Sequence, residues 1–296
     1  ITLIPTMGAL HKGHIQLIEK AREIQAQICV SIFVNPAQFG KGEDLETYPR
    51  PLEQDLKLLQ AQKVDAVFIP KAKEMDFLPT PERIHTHALY QQLCGKSRPV
   101  FFAGVANIIY KFAKYLRPDL MVFGLKDYQQ CIVVKQLLQR EQLTTQLQFC
   151  PLIRTSAGLA LSSRNTYMND AQLVRAERLF QSLLLCRDLF VNEGHHLQKC
   201  LQRSQDHLNQ DSGIEIEYFE ARQFNNLDLV NEDTLYSKHT RFIVCAAIVL
   251  DGLRLIDNIP LNASATYWNI ATSQMTSDQD SGIHPPYRKE TNDDRY

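Results

Sequence analysis

A continuous apolar run of strand length, residues 28–34 (ICVSIFV), constrains the fold of this 296-residue chain more than any other feature. A strand with one solvated face alternates polar and apolar residues, whereas an unbroken apolar run indicates a strand covered on both faces. Further strand-like runs at 1–4, 64–69 and 120–123 alternate with helical periodicity at 15–24, 52–59, 104–116 and 127–140. This alternation predicts an α/β fold, a Rossmann-like doubly wound parallel sheet with helices on both faces.

The second half of the chain has a different pattern. Residues 171–190 look helical, and Ile214–Phe219 alternates as a half-exposed strand does. Two apolar runs flank Asp251 and Gly252, which is a hairpin signal. We expect a nucleotide-binding domain over 1–165 and a smaller C-terminal α+β domain over 166–261. Large aliphatic residues become rare after 261, so a disordered tail is expected over 262–296.

Composition narrows the class of protein. With 44% hydrophobic residues, 22% charged residues and a net charge of -1, the chain is typical of globular proteins and has no overall basic excess for nucleic acid or acidic membranes. No apolar run approaches the ~18 residues of a membrane span. Seven scattered cysteines without a C-x-x-C pair are typical of reduced thiols in a cytoplasmic protein. The sequence opens at Ile1, directly on a strand-like run, and whether a segment precedes Ile1 stays open.

The strongest local signal is the segment Pro5–His14, PTMGALHKGH, between the first predicted strand and the first predicted helix. A helix N-terminus offers unpaired N–H groups and a positive dipole end that suit phosphate, and glycines let the backbone approach an anion closely. His11 and His14 fall on one face of the opening turn. Two histidines at this spacing also occur by coincidence at surfaces and metal sites. A zincin would need a Glu after the first His and a spacing of four, and neither is present.

Three further segments follow strands or candidate strands. In GLKDYQQ, Lys126 supplies a cation, Asp127 a helix cap and Gln130 a hydrogen-bonding amide. The segment LSSRN places hydroxyls beside Arg164, and NPAQFG forms a polar turn around Gln38. Each segment alone could be an ordinary cap or loop. Because loops at the carboxyl ends of parallel strands share one edge, we expect the four to converge on one crevice.

The ordered series PTMGALHKGH, FVNPAQFG, YPR followed by an aspartate, FGLKDYQQ and GLALSSRN resembles the pantothenate synthetase (pantoate–β-alanine ligase) family, nucleotidyltransferases with a His-x-x-His ATP loop. The resemblance extends from about Ile4 to Pro260 and ends with RLIDN. It implies a two-step reaction. Pantoate and ATP give pantoyl adenylate and pyrophosphate, and β-alanine then displaces AMP to form pantothenate.

The resemblance also implies roles for individual residues. His14, the acid-like histidine, His11 and Lys126 would be catalytic, Gln38 would bind pantoate and β-alanine, and Gln130 would bind pantoate. The residues implied to bind ATP are Met7, Gly8, Ala9, Leu10, His11, Lys12, Gly13, His14, Gly124, Leu125, Lys126, Asp127, Ile153, Leu161, Ser162, Ser163 and Arg164. Asp55 would contact a Mg²⁺ that bridges the phosphates. The resemblance further implies a homodimer, and the second domain would shield the labile adenylate from water.

The chain departs from the family pattern beside the substrate residues. Where the family reads Arg-Pro-Gly-His-Phe, this chain has Arg98, Pro99, Val100, Phe101 and Phe102. A threonine of the following helix is Asn107, and the residue after Arg154 is Thr155 where the family has Glu. Three hypotheses stay open: an active ligase, an ATP-binding homologue with impaired catalysis, and another nucleotidyltransferase with the same ATP loop. Gln38 and the Lys-Asp-Tyr-Gln-Gln run argue against the third.

Overall fold

The computed structural model describes residues 1–24 and 27–261, and its larger sheet contains five parallel strands in the order β3-β2-β1-β4-β5. The strands are β1 (Thr2–Thr6), β2 (Ile28–Ile32), β3 (Ala66–Phe68), β4 (Leu120–Gly124) and β5 (Gln146–Cys150). β1 lies at the centre and pairs with β2 on one side and β4 on the other. The chain therefore winds outward in both directions from β1, which confirms the predicted doubly wound sheet.

Within the described part of the chain, helices connect or flank these strands. They are α1 (Lys12–Ile24), α2 (Leu52–Ala61), α3 (Ala72–Asp76), α4 (Cys94–Ser97), α5 (Phe101–Lys111) and α6 (Tyr128–Arg140). One sheet face is covered by α1 and α2, because Ile4 and Val30 belong to the same buried cluster as Ile18 and Leu59. Burying each such side chain stabilises the fold by about 1.5–3 kcal/mol relative to its exposure. The sheet is therefore a rigid base for the loops at its edge.

The C-terminal part, as described up to residue 261, contains helices and a three-stranded antiparallel sheet in the order β6-β7-β8. Its elements are α7 (Asp170–Arg187), α8 (Leu197–Asn209), β6 (Ile214–Gln223), β7 (Phe242–Leu250) and β8 (Leu253–Leu261). Asp251 and Gly252 have φ angles of 49° and 85°, the left-handed values that a tight type I′ hairpin requires. The predicted hairpin and α+β architecture are confirmed.

The chain divides into two compact units between Cys150 and Pro151, whereas the sequence pattern placed the boundary at residue 165. Among the described residues, the first unit comprises 1–24, 27–125 and 129–150, and the second comprises 126–128 and 151–261. Residues 151–165 group with the second unit because Arg154 pairs with Asp257 and lies over the Phe180 ring. The predicted tail, 262–296, lies outside the described residues. Across 1–24 and 27–261, no helix has the length and apolar character of a bilayer span.

Candidate functional site

The loop between β1 and α1 is folded onto the buried carboxylate of Asp55 from α2. Asp55 is 3% exposed, and its two oxygens accept the backbone N–H groups of Ala9 at 2.9 Å and Leu10 at 2.8 Å. Gly8 has a φ of 81°, and a Cβ there would lie 2.9 Å from Oδ2 of Asp55. Gly8 is therefore required both by its backbone conformation and by the close approach of this carboxylate.

His11 and His14 cap the N-terminus of α1 reciprocally. Nδ1 of His11 accepts the backbone N–H of Gly13 at 3.1 Å, and Nδ1 of His14 accepts the backbone N–H of His11 at 3.2 Å. This is the arrangement of a capping box, with imidazoles in place of the usual hydroxyl and carboxylate. The ring centroids are 4.2 Å apart. Because both Nδ1 atoms accept hydrogen bonds, each neutral imidazole carries its proton on Nε2.

Gly13 is matched to this cap. A Cβ at residue 13 would lie 2.8 Å from Cε1 of His11, so any side chain there would push the imidazole away from α1. The result is a helix N-terminus at which two Nε2–H groups and the positive end of the helix dipole occur together. Such a helix N-terminus suits the oxygens of a phosphate group.

The predicted substrate residue Gln38 is held in the turn after β2. Gln38 is only 7% exposed. Its Oε1 accepts a hydrogen bond from Nδ2 of Asn35 at 3.3 Å, and its Nε2 contacts Sδ of Met7 at 2.9 Å. Asn35 also donates to the Gly104 carbonyl of α5 at 3.0 Å. A Cβ on Gly104 would lie 2.3 Å from the Ala37 oxygen, so α5 packs directly against this turn.

Two adjacent glutamines in α6 have different environments. Gln129 is buried, and its side chain accepts from the Cys94 backbone and donates to the carbonyls of Leu89 and Gln92. These three bonds give Gln129 a structural role in tying α6 to the segment before α4. Gln130 is only partly buried, and its role in binding pantoate stays a prediction.

Of the two departures from the family pattern in this segment, Val100 is exposed and Phe101 packs against Arg98. Arg98 makes charge-assisted hydrogen bonds to Glu43, and its guanidinium carbon lies 3.9 Å from the centre of the Phe101 ring. Arg98 also lies 3.4 Å from the Gln38 carbonyl oxygen. Phe101 therefore packs on the Arg98 guanidinium group beside the Gln38 backbone.

Two further residues implied to bind ATP, Gly124 at the end of β4 and Leu125 after it, lie in the first unit. The others lie in the second unit. The Leu161 N–H donates to the Ile153 carbonyl at 3.0 Å, so these two residues lie on facing arms of one hairpin. Ser162 caps the short 3₁₀ helix Ser163–Tyr167 by accepting the Arg164 backbone N–H at 3.3 Å. Thr155, another departure from the family pattern, has a backbone N–H that donates to the Leu159 carbonyl at 2.9 Å within the same hairpin.

Lys126 and Asp127 also group with the second unit. Nζ of Lys126 lies 3.9 Å from Oδ1 of Asp127, and the Lys126 carbonyl accepts from the Asn258 side chain. Within each unit the structure therefore brings predicted residues together, around the β1–α1 loop in the first and on neighbouring segments in the second. The convergence of both groups on one nucleotide stays a prediction.

The metal prediction at Asp55 also stays a prediction. Across 1–24 and 27–261, no three His, Cys, Asp or Glu side chains are grouped as a metal cage would require. Mg²⁺ in nucleotide sites is commonly held by one or two carboxylates together with phosphate oxygens, and a cage is not needed for that mode. Each Asp55 oxygen has one lone pair occupied by the loop and one left over, so the carboxylate is compatible with such a contact.

Sequence reasoning missed the residues that hold the candidate site in shape. Asn35 lies within the NPAQFG segment, and Asp257 and Asn258 lie within RLIDN, so their positions in the motifs were the available signal. Glu43 carries no local signal. Its partner Arg98 is 55 residues away in the chain, and only the folded structure shows the pair.

The family model described as pantoate-beta-alanine ligase matches residues 1–260. A pantothenate synthetase from Psychrobacter sp. (strain PRwf-1) is 38% identical over 267 residues, which cover 88% of this chain and 92% of the relative. A pantothenate synthetase from Thermotoga petrophila is 36% identical over 261 residues, covering 87% and 90%.

Solved structures of similar proteins have the same fold. Pantothenate synthetase from Thermus thermophilus superposes with a TM-score of 0.82 at 32% identity, covering 88% of this chain and 93% of that one. Pantoate-beta-alanine ligase from Francisella tularensis, complexed with beta-gamma ATP and beta-alanine, gives a TM-score of 0.67 at 29% identity, covering 88% and 89%. Both likenesses extend over most of each chain.

Proposed function

The chain belongs to the pantoate-beta-alanine ligase family, a family of enzymes, and we propose that it condenses pantoate with β-alanine at the expense of ATP. The observation that carries the proposal is the reciprocal histidine cap of α1. Because Nδ1 of each ring accepts a backbone N–H group, each neutral imidazole has its N–H at Nε2, beside the N-terminus of α1 where we propose that phosphate binds. The Francisella relative, complexed with beta-gamma ATP and beta-alanine, supports the same ligand classes for this chain.

In the first proposed step, a carboxylate oxygen of pantoate attacks the α-phosphorus of ATP. The bond from this phosphorus to the bridging oxygen breaks, and pyrophosphate leaves with the electron pair. Negative charge spreads over the α-phosphoryl group and the leaving pyrophosphate in the transition state. The Nε2–H groups of His11 and His14, with the ammonium of Lys126 and the guanidinium of Arg164, would stabilise that charge.

In the second proposed step, the neutral amine of β-alanine attacks the carbonyl carbon of pantoyl adenylate. The carbon–oxygen bond to AMP breaks, AMP leaves with the electron pair, and the attacking nitrogen loses a proton as the amide forms. Gln38 and Gln130 suit pantoate because neutral amides hydrogen-bond hydroxyl and carboxylate groups without repelling the nucleophile. The proposal keeps the C-terminal unit in the role of a cover that excludes water from the adenylate.

Mg²⁺, a homodimer and a cytoplasmic location complete the proposal. Bound Mg²⁺ would neutralise phosphate charge, with Asp55 as its proposed protein contact. The seven cysteines are all free thiols, which supports a reducing compartment. The homodimer rests on the family resemblance, and light scattering of the purified chain across concentrations tests it directly.

The decisive experiment measures AMP release from purified protein mixed with ATP, Mg²⁺, pantoate and β-alanine. We expect AMP release to require both small acids, and pyrophosphate release to require pantoate alone. AMP release that ignores either acid would contradict the proposed ligase. Trapping the pantoyl adenylate in the absence of β-alanine tests the intermediate separately.

A second candidate function is an ATP-binding homologue with impaired catalysis. It is favoured by Phe101, which occupies the place of the family histidine and stacks on Arg98 next to the Gln38 backbone. ATP binding by calorimetry without AMP release would support this candidate. In that case the double substitution Val100→Gly and Phe101→His should restore AMP release.

A further inference from the structure

Two adjacent buried residues of β8 each contact a different segment of the second unit. Asp257 is 4% exposed and Asn258 is 2% exposed. Asp257 pairs with Arg154, which follows Ile153, and Asn258 donates to the backbone of Lys126. Ile153 and Lys126 are both residues implied to bind ATP, so the middle of one strand contacts two parts of the proposed nucleotide site.

The contact of Asp257 fixes the hairpin that contains Ile153 and Leu161. Nη2 of Arg154 donates to Oδ1 of Asp257 at 2.8 Å, and Nη1 donates to Oδ2 at 2.5 Å, a bidentate pair. Nη1 also donates to the Gly158 carbonyl at 3.0 Å, and the guanidinium carbon lies 3.8 Å from the centre of the Phe180 ring. Asp257 and the Gly158 carbonyl therefore bind the edge of the Arg154 guanidinium group, and the Phe180 ring packs on its face. These contacts fix the position of the hairpin that contains Arg154.

The contact of Asn258 fixes the backbone of Lys126. Nδ2 of Asn258 donates to the Lys126 carbonyl at 3.0 Å. The Asn258 backbone N–H donates to Oδ1 of Asp257 at 2.7 Å, so the two residues are linked. A lysine side chain is long and flexible, and its ammonium is placed accurately only if the backbone below it is fixed.

We propose that Asp257 and Asn258 are positioning residues for ATP. Asn258 acts by fixing the Lys126 backbone, and Asp257 acts through Arg154 on the hairpin of Ile153 and Leu161. This inference rests on the proposed ligase function, because that function assigns ATP to Lys126 and the hairpin. Neither residue is proposed to touch the reacting atoms.

The first test measures, without any substrate, whether the hydrogen bond from Asn258 to the Lys126 carbonyl holds the Lys126 segment in place; we call this bond the anchor. A lysine-specific protease cuts the bond after Lys126 only when that segment opens, and the carbonyl of this bond is the group that Asn258 holds. We expect Asn258→Ala to speed nicking after Lys126 by ~10-fold, as the loss of a hydrogen bond from a locally opening segment predicts. Gln205→Ala is the matched control, since Nε2 of Gln205 donates to the Phe219 carbonyl at 3.1 Å in the same unit. An unchanged nicking rate in Asn258→Ala would overturn the anchor.

The second test measures coupling between Asn258 and Lys126 in catalysis. We expect Asn258→Ala to raise the KM for ATP by ~10-fold, with a smaller change in the KM for β-alanine. If Asn258 acts only through Lys126, the substitution should have no further effect in a Lys126→Ala background. The same fold-loss in both backgrounds would show a purely structural role and refute the inference. Asn258→Leu keeps the side-chain shape without adding a charge, and it replaces Asn258→Ala if that variant does not fold.

The proposed role of Asp257 makes a contrasting prediction. Asp257→Asn should also raise the KM for ATP, and the increase should persist in the Lys126→Ala background because Asp257 acts through Arg154. An unchanged KM for ATP in Asp257→Asn would refute the positioning role of Asp257. Wild-type protein that releases no AMP would refute the proposed function and the assignment of this anchor to ATP. The nicking rates would still test whether Asn258 fixes the Lys126 backbone, because that measurement does not depend on the proposed function.

Discussion

At the scale of single residues, the two histidines of the β1–α1 loop have two separable tasks. Their Nδ1 atoms cap α1, and their Nε2–H groups are the donors proposed for ATP phosphate. A substitution that removes the whole ring changes both tasks at once. Side chains that reproduce only one end of the imidazole can separate them.

We predict that His14→Ala slows adenylate formation by ~100-fold or more, the loss expected for a preorganised donor. It should also lower the free energy of unfolding by about 1 kcal/mol through the lost cap. His14→Asn places an acceptor near the position of Nδ1, so it should restore stability and leave the rate low. Single-turnover kinetics and denaturant unfolding measure the two effects. A near-normal rate in His14→Ala would refute the catalytic assignment.

Asp55 offers a second residue-scale prediction. Asp55→Asn replaces one acceptor with a donor that faces a backbone N–H of Ala9 or Leu10. We expect the free energy of unfolding to fall by about 1–3 kcal/mol in the absence of nucleotide and metal, because a buried N–H loses its partner. Unchanged stability combined with a raised Mg²⁺ requirement would instead show that metal contact is the main role of Asp55.

At the scale of elements, α5 and the turn that carries Gln38 depend on the absence of a side chain at residue 104. Alanine normally improves a helix interior over glycine by about 1 kcal/mol. Here its Cβ would lie 2.3 Å from the Ala37 carbonyl oxygen, which is backbone and cannot rotate away.

We predict that Gly104→Ala destabilises the protein by about 1–3 kcal/mol and raises the KM for pantoate more than that for ATP. Denaturant unfolding and steady-state kinetics with each substrate varied provide the measurements. A gain in stability would show that α5 can move away from the turn without cost.

The contact between α7 and α8 gives a pH prediction. Oγ of buried Ser182 lies 2.7 Å from Nδ1 of His207, and burial together with the charge of Arg178 lowers the pKa of His207 below its usual value. As the pH falls below about 6.5, the unfolded chain binds this proton before the folded protein does, so stability is lost. Above that pH the contribution is fully present. Thermal unfolding of wild type and His207→Gln between pH 8 and pH 5 tests this, and parallel curves would contradict it.

The elements that the sequence predicted are those whose burial pattern is local. The run of residues 28–34 predicted β2, and Asp251 with Gly252 predicted the β7–β8 turn. β5 was missed because QLQFC is only five residues long and lacks an unbroken apolar run such as that of β2. α8 was missed because its buried face includes Cys200 and Ser204 among the leucines. Long-range pairs such as Arg98 with Glu43 have no local signature, so sequence patterns cannot predict them.

At the scale of the whole molecule, the charges nearly cancel. The net charge is -1 and the calculated isoelectric point is about 6.8. Proteins with little net charge repel one another weakly and associate more readily. Long-range electrostatic steering by overall charge therefore contributes little to the capture of anionic ATP, and local groups must supply the attraction.

We predict that solubility is lowest near pH 7 and rises by pH 8.5 as net negative charge accumulates. Turbidity of concentrated protein across this range measures the effect. Equal turbidity at all pH values would show that association is governed by apolar surface instead, for which Phe77, 86% exposed, would be the first residue to replace.

The hydrogen bond from Asn258 to the Lys126 carbonyl cannot form until late in synthesis of the chain. The two partners are 132 residues apart, so at ~5–20 residues per second a ribosome needs on the order of ten seconds to supply the second after the first. During that interval the Lys126 segment is exposed without its strand. In a nascent chain that stalls before Asn258, the Lys126 segment would lack this hydrogen bond and would be accessible to chaperones and proteases.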